Sequence, residues 1–510
     1  MDSTSRSRDA LSGALAGGLG LGVSELLAGF VAGVPSLVES LGNWVIDNSP
    51  TAVKEWAIAT FGTADKPILL VSIVVVTLLI GAVVGVASRD RFWIATAVFV
   101  VFGGLATVAA IQDPQISFGF AVIGAGAAVI AGLATLRMLY NAGEAKPEGT
   151  TDTSKRQFLL GAGAVVGVAA LAGTFGRVLI ERAKRAVAGR DEVVLPSAAE
   201  TLPEVSEAAN FEVDGLEQIL VPNDDFYRID TALSVPRVDL QEWTLSVTGM
   251  VDRPYTIDFS DLLDMRMVER DVTLSCVSNQ VGGGLVGNAR WLGVPLTEIL
   301  DRAGVRPEAG QIVGRSVDDF TVGFPVEAAY DGREALVAVG MNGEPLPFEH
   351  GFPARLVVAG LYGYVSATKW LSEIELTTWD GFDAYWVPRG WAKEAPIKTQ
   401  SRIDTPGDNS QIDPGRNVVA GVAWAPTRGI SMVEVQLGDD QPWVEAELSE
   451  PLSDNAWVQW RVDWEATSGG RHTLRCRATD GDGNLQVEET APPAPDGATG
   501  WHTRTVSVNA

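Results

Sequence analysis

Cys276 stands in TLSCVSNQVGGGLVGNARWLGVPL (273–296), where a thiol ends an apolar run and is followed by Asn279 and the glycines 282–284. A soft thiolate at a strand-to-loop junction can ligate a metal, and glycines let the backbone close on a bulky metal-bearing group. An inert buried side chain fits a lone cysteine as well. Further along, MNGEPLPFEHGFPARLVVAGLYGYVSATKWLSEIEL (341–376) gathers His350, Arg355 and Lys369 about a turn at Gly360 and Gly363. Cationic donors suit a doubly charged phosphate, which Arg can bind bidentately; a surface loop with a helix-flanking Arg is the plain alternative. The second cysteine, Cys476, lies too far from Cys276 for a disulfide framework or a metal-binding Cys cluster to be read from spacing.

The elements that must position these residues change character along the 510-residue chain. From 193 to 395 short β-rich runs mix with helical ones. WTLSVTGMV (243–251) alternates as a strand does, and FSDLLDMR (259–266) opens on a Ser/Asp cap and turns helical. From about 398 only strands follow, separated by Gly, Asp, Pro and Ser turns, as in an all-β sandwich. The length calls for several units, expected at 1–142, 143–192, 193–396 and 397–510.

The first part is a different solvent problem. Apolar stretches at roughly 11–34, 67–88, 92–111 and 117–139 can each span about 30 Å of hydrocarbon. The first is Gly-rich and carries Glu25, a functional candidate by default or a side chain hydrogen-bonded inside a Gly-packed bundle. A fifth stretch (158–180) follows TSKRQF. It reads either as an internal twin-arginine-like export signal with Lys155 in place of the first Arg, or as a plain transmembrane helix. Arg6, Arg8, Arg89, Arg91, Lys146, Lys155 and Arg156 share one side if five helices alternate. That side is cytoplasmic by the positive-inside rule, which leaves the later chain outside. Arg182, Lys184, Arg185 and Arg190 then break the rule and are assigned to lipid headgroups. The three histidines, at 350, 472 and 502, all lie beyond these helices, so the helices cannot supply axial histidine pairs to haem.

Charge sharpens the contrast. Residues 1–192 hold 15 acidic and 15 basic side chains, and 193–510 hold 49 acidic against 23 basic, so the net −26 belongs to the later part. This excludes nucleic acid as an expected partner. The self-repulsion suits concentrated salt, where the Debye length falls to roughly 3 Å, so a halophilic setting is expected.

The segments at 273–296 and 341–376, joined by PNDDFYRIDTALSVP (222–236), resemble the sulfite oxidase family over residues 200–510, the second block nearly residue for residue. The resemblance implies an α+β molybdopterin domain after the transmembrane bundle, followed by an Ig-like sandwich used for dimerisation. It implies a molybdenum–molybdopterin cofactor with one dithiolene, in which Cys276 is the metal thiolate and the metal cycles between Mo(VI) and Mo(IV). Asn223, Phe226, Tyr227, Asn279, His350, Arg355, Gly363 and Lys369 would line or hold the pterin and its phosphate, and Arg428 would be an active-site arginine. Trp386, Arg389, Trp391 and Lys393 would shape a substrate funnel or cover a domain joint. The family's cytochrome b5 haem domain is not matched, which implies a separate electron carrier or a quinone.

Departures from the family pattern bear on the substrate. The family's Arg and His in the first block fall on Asp230 and Ala232; Gln280 and Val281 follow Asn279 where sulfite-oxidising members place an arginine; Phe320 takes the place of a tyrosine. A sulfite dianion would lose most of its guanidinium stabilisation. The expectation is two-electron oxygen-atom transfer on a small extracytoplasmic substrate other than sulfite, with sulfoxide reduction foremost. A membrane-anchored binding or assembly module that keeps the fold without turnover is the alternative.

Overall fold

The computed structural model describes the chain except residues 1–2, 32, 51–52, 54–55, 58–59, 62–63, 114–115, 144–150, 188, 234, 237 and 510, and the side chains of 3–4, 143, 151–155, 157 and 181–187. Lys146, Lys155 and the Arg182, Lys184 and Arg185 side chains therefore lie outside the described residues. The chain separates into two compact units, 1–188 with 232–237, and 189–231 with 238–510.

The helical unit comprises α1 (Ser3–Phe30), α2 (Leu37–Asn48), α3 (Asp65–Ala87), α4 (Phe92–Ala110), α5 (Phe118–Gly143) and α6 (Thr151–Val187). Five helices are long and apolar enough to cross a membrane, over Ser5–Phe30, Asp65–Ala87, Phe92–Ala110, Phe118–Ala142 and Phe158–Ile180. The glycines of α1 explain its composition. A Cβ at Gly20 would stand 2.8 Å from the Ala128 carbonyl oxygen, one at Gly22 2.9 Å from that of Ala169, and one at Gly29 2.7 Å from that of Gly176, while one at Gly13 would overlap the Gly81 backbone. Small residues let helix backbones touch where lipid offers no hydrophobic drive, so α1 packs directly on α3, α5 and α6. The amphipathic α2 was not expected from hydropathy. Its start is set by Ser36, whose hydroxyl accepts from the Glu39 N–H (3.2 Å).

The second unit opens with a five-stranded sheet of β1 (Thr244–Gly249), β2 (Tyr255–Asp258), β5 (Gln311–Ser316), β6 (Thr321–Pro325) and β10 (Leu371–Thr377), in the order β2-β1-β10-β5-β6. A neighbouring sheet runs β3 (Val268–Ser275), β4 (Val286–Pro295), β7 (Ala335–Met341), β8 (Glu344–Pro345), with β9 (Arg355–Val358) on β7. The helices α7 (Phe259–Leu263), α8 (Leu296–Ala303) and α9 (Gly363–Ser366) link these strands. β7 and β9 are buried throughout, as the apolar runs ALVAVGM and LVV require, and β3 is buried from Asp271 to Ser275.

The later strands form two more sheets. One is β11 (Gln400–Thr405), β13 (Gly415–Trp424), β17 (Val458–Ala466) and β16 (Glu447–Leu448). The other is β12 (Ser410–Ile412), β19 (His502–Val508), β18 (Gly470–Asp480), β14 (Ile430–Gln436) and β15 (Trp443–Glu445). Both sheets feed one core that includes Ile403, Trp460, Val433, Leu474 and Val506, which makes a sandwich.

Residues on both sides of 396/397 belong to the second compact unit, and 232–237 group with the helices, where the Lys66 ammonium donates to the Ala232 carbonyl at 2.6 Å. One expectation needs correction. Arg190 is not described on lipid: its guanidinium donates to the carbonyls of Leu346 (2.9 Å) and Pro345 (2.7 Å) within the second unit. Two carbonyls in a fixed fork geometry hold an Arg where composition alone pointed to a membrane surface.

Candidate active site

Cys276 leaves β3 at the head of a loop that returns as β4. Its N–H donates to the Leu285 carbonyl at 2.9 Å, the Asn279 N–H donates back to the Cys276 carbonyl at 3.0 Å, and the Asn279 side-chain oxygen accepts from Leu285 N–H at 2.9 Å. Asn279 thus ties the loop to itself. A Cβ on Gly283 would press on that Asn279 oxygen (2.5 Å), and Gly282 takes φ +76° against the His502 ring, so the glycines are demanded by close approach. From β11, Arg402 donates to the Gly283 carbonyl (3.1 Å) while held by Asp404 (2.5 Å). The sandwich therefore clamps the loop that carries the thiol. The Cys276 side chain is buried; burial pushes its pKa up, and hydrogen bonds from Ser278 pull the other way.

Around it the three motif blocks converge. Burial pushes the Tyr227 phenol up, the Cys276 sulfur adds to the push and the Arg355 guanidinium opposes it, so Tyr227 lies within electrostatic reach of both. Phe226 stacks on Tyr227 at 5.2 Å and meets His350 (5.5 Å) and Trp291 (6.0 Å) edge-on. Arg355 is 5% exposed. Its guanidinium donates to the His350 carbonyl at 3.0 Å and lies over the Trp291 ring at 5.1 Å. No carboxylate pairs with it among the described residues. Burial lowers its pKa from 12.5 to about 10, with Tyr227 opposing. A desolvated cation of this kind fits an anionic ligand.

His350 Nε2 meets the Asn223 carbonyl at 3.1 Å. Burial, then Arg355, takes its pKa down to about 4, so the ring is neutral at pH 7. Asn223 is pinned in turn, donating to the Met341 carbonyl (3.3 Å) and accepting from Asn342 (2.9 Å). Asn342 and Gly343 both take positive φ, 51° and 82°, in the hairpin from β7 to β8, the Asn-Gly turn that matches strand twist. Gly363 begins α9, and its backbone runs near the carbonyl of Ser275, the neighbour of Cys276.

Lys369 donates to Asp230 at 2.8 Å and to the Glu349 carbonyl at 3.0 Å. Burial lowers its pKa to about 8 against the pull of Asp230. Asp230, in the position where the resemblance expects an arginine, also accepts from Arg228 Nε at 3.0 Å. The acid therefore joins two cations at the edge of the site.

Arg428 is placed differently. It donates to Asp480 (2.9 Å), the Ile397 carbonyl (3.1 Å) and Thr399 (3.2 Å), and none of these partners belongs to the Cys276 group. The joint residues form an aromatic wall: Tyr364 on α9 meets Trp391 (5.8 Å), Trp391 meets Trp386 (6.3 Å), and Arg389 lies over Tyr385 at 3.7 Å. Lys393 serves three acceptors, the Trp379 and Phe382 carbonyls (2.6 and 2.7 Å) and Asp383 (2.8 Å). Sequence reasoning missed Trp291, Asn342, Arg402 and His502; the WLG after the cysteine block and the Asn-Gly turn were the available signals for the first two.

Residues 232–386 match the family described as oxidoreductase molybdopterin binding domain. The uncharacterized oxidoreductase YuiH of Bacillus subtilis is 34% identical over 153 residues, 30% of this chain and 74% of YuiH. The chain belongs to the sulfite oxidase family of molybdopterin oxidoreductases. The matched domain implies a molybdenum–pterin cofactor. Mitochondrial sulfite oxidase of Rattus norvegicus is 27% identical over 341 residues, 58% of this chain and 61% of the relative. The chain thus spans about three fifths of the length of such family members. The fold of sulfane dehydrogenase SoxCD from Paracoccus pantotrophus covers 61% of the chain and 88% of its own, with TM-score 0.51 and 24% identity. The buried thiol on a Gly-shaped loop and the buried Arg355 without a carboxylate fit the family's group, a soft-ligated metal with an anionic tail.

Proposed function

We propose that this chain is a membrane-anchored molybdenum–pterin oxidoreductase that carries out two-electron oxygen-atom transfer on a small, uncharged extracytoplasmic substrate, with sulfoxide reduction foremost. The observation that carries the reading is the buried Arg355, paired with no carboxylate among the described residues, lying over Trp291 on β4, the strand that returns from the Cys276 loop and whose Gly287 packs on Phe226. When bound, the molybdenum–pterin group supplies the two-electron centre and the exchangeable oxygen. Cys276 would ligate the metal, and Arg355 with Lys369 would hold the phosphate. His350, neutral and donating through Nε2 to the Asn223 carbonyl, would have Nδ1 left as an acceptor for the group. Phe226 and Tyr227 would flank it, with Asn223 and Asn279 fixing the loops and the Gly363 backbone leaving room.

An uncharged substrate is favoured because the guanidinium groups that would stabilise a dianion are replaced or engaged. Gln280, Val281 and Phe320 carry no charge, and Arg428 is bound to Asp480. The half-buried aromatic wall of Trp386, Trp391 and Tyr385 suits apolar substituents on such a substrate. The charge distribution of the helices supports an extracytoplasmic site, and a separate electron carrier and a homodimer through the sandwich complete the reading.

Chain produced in a host that makes the cofactor should hold about one molybdenum per Cys276. Cys276→Ser should abolish reduction of methyl sulfoxides by artificial electron donors while circular dichroism stays unchanged. Full activity in Cys276→Ser would overturn the assignment.

A further inference from the structure

Residues 232–237 group with the helices, while Thr231 and Val238 on either side belong to the second unit. This short excursion is fastened at two points. The Lys66 ammonium, at the start of α3, donates to the Ala232 carbonyl at 2.6 Å. Leu233 enters a notch at Gly42, where an added Cβ would stand 2.4 Å from the Leu233 Cδ1, with the Leu70 Cδ2 and Ile73 Cδ1 of α3 at 3.4 and 3.5 Å. Glycine in a helix interior costs stability relative to alanine, so one in the middle of α2 needs a reason. The close approach of Leu233 supplies it.

Two residues before the fastened carbonyl stands Asp230. Its carboxylate is 3% exposed and accepts from the Lys369 ammonium at 2.8 Å and from Arg228 Nε at 3.0 Å. A chain covers at most about 3.6 Å per residue, so Asp230 and Ala232 stand within about 7 Å of each other and a displacement of one carries to the other. Lys369 depends on that acid. Burial, Arg355 and Arg228 all disfavour its ammonium, Asp230 favours it by charge and by hydrogen bond, and the Asp318 carboxyl acts on it as well.

We propose that α2 and α3 position the edge of the candidate site: Leu233 in the Gly42 notch and Lys66 on the Ala232 carbonyl seat Asp230 against Lys369. The helices thereby set the net charge that Lys369 presents to an anion, and Gly42, Lys66 and Leu233 are positioning residues that act through Asp230. For the role of Lys369 this rests on the reading above, in which it holds a phosphate. The seating itself requires neither metal nor turnover, and it is tested without them.

The test measures acetylation of Lys369 by acetic anhydride in the full chain in nanodiscs, made in a host without the cofactor, with the rate at each lysine read by mass spectrometry. At pH 6, below the Lys369 pKa of about 8, the amine is mostly protonated. Loss of one charge-assisted hydrogen bond to a carboxylate should raise the free-amine fraction, and the rate, about tenfold. Asp230→Asn should quicken Lys369 by that factor. Leu233→Ser should do the same, as should Gly42→Leu, which fills the notch from the helix side, whereas Leu233→Met, which refills it, should keep the wild-type rate. Adding Leu233→Ser to Asp230→Asn should change nothing further, because both remove one interaction. Lys398, paired with Asp496 at 2.9 Å, is the internal standard for an intact fold and should hold its rate throughout. An unchanged Lys369 rate in Asp230→Asn, Leu233→Ser or Gly42→Leu, a further quickening in the double variant, or a parallel quickening of Lys398 overturns the proposal. Molybdenum content is read separately on chain made with the cofactor. A chain that takes up none but passes the acetylation test loses the oxidoreductase reading and keeps the seating; one that takes it up and fails the test loses the seating alone.

Discussion

Replacing Arg355 with Met should make the cofactor-free protein more stable and the cofactor-loaded protein unobtainable. The guanidinium is buried, and the interior lowers its pKa from 12.5 to about 10. At about 1.36 kcal/mol per pH unit this corresponds to ~3 kcal/mol set against the charged form at neutral pH. Methionine matches the stem and removes that cost, but it leaves the His350 carbonyl without its donor (3.0 Å), a loss of about 1 kcal/mol. The net expectation is a gain of ~2 kcal/mol. The assay is urea unfolding of cofactor-free full chain in detergent, followed by tryptophan fluorescence, paired with molybdenum and pterin content after expression with the cofactor. A lower midpoint for Arg355→Met together with normal pterin content would show that Arg355 is a structural cation satisfied by the protein itself. The anion-site argument would then fall.

Other expectations follow from the same geometry. His350 and His502 are both held near pKa 4 by burial first. Between pH 6.5 and 4 the unfolded chain takes up protons that the folded chain refuses, so stability is full above 6.5 and falls as pH drops. His502→Gln should shrink that loss by about 2 kcal/mol at pH 4.5; a wild-type-minus-variant difference that is the same at pH 7 and 4.5 refutes it. Arg402→Lys keeps a cation for Asp404 but loses the fork that also reaches Gly283, and alkylation of Cys276 in cofactor-free protein, mapped by mass spectrometry, should quicken about tenfold; unchanged reactivity would mean the loop holds itself. Dilution of salt should lower the melting temperature, because 49 acidic side chains face 23 basic ones in 193–510; a flat or rising value contradicts this.

Much of the site was legible because its chemistry is written in contiguous blocks. Cys276 with its glycines and His350 with Arg355 need local turns of fixed shape, and those turns leave residue signatures. What stayed hidden depends on partners far along the chain. Arg402 and His502 meet the Cys276 loop from strands that show only ordinary alternation, so no period marks them. Asp230 was visible as a departure, but its seat between Arg228 and Lys369 was not, since one residue is its near neighbour and the other lies far downstream. In the helices, hydropathy located the spans yet undervalued α1, whose glycines lower the apolar score while letting three helices rest against it. Arg190 was misplaced for a related reason: a charge count records sign and position but not which carbonyls come within reach.

The hold that Arg402 and His502 keep on the Gly282–Gly283 turn makes the thiol's loop answerable to strands far downstream in the chain. A substitution that disturbs β11 or β19, distant in sequence from every residue expected to hold the metal group, should therefore register first as a change in the setting of Cys276.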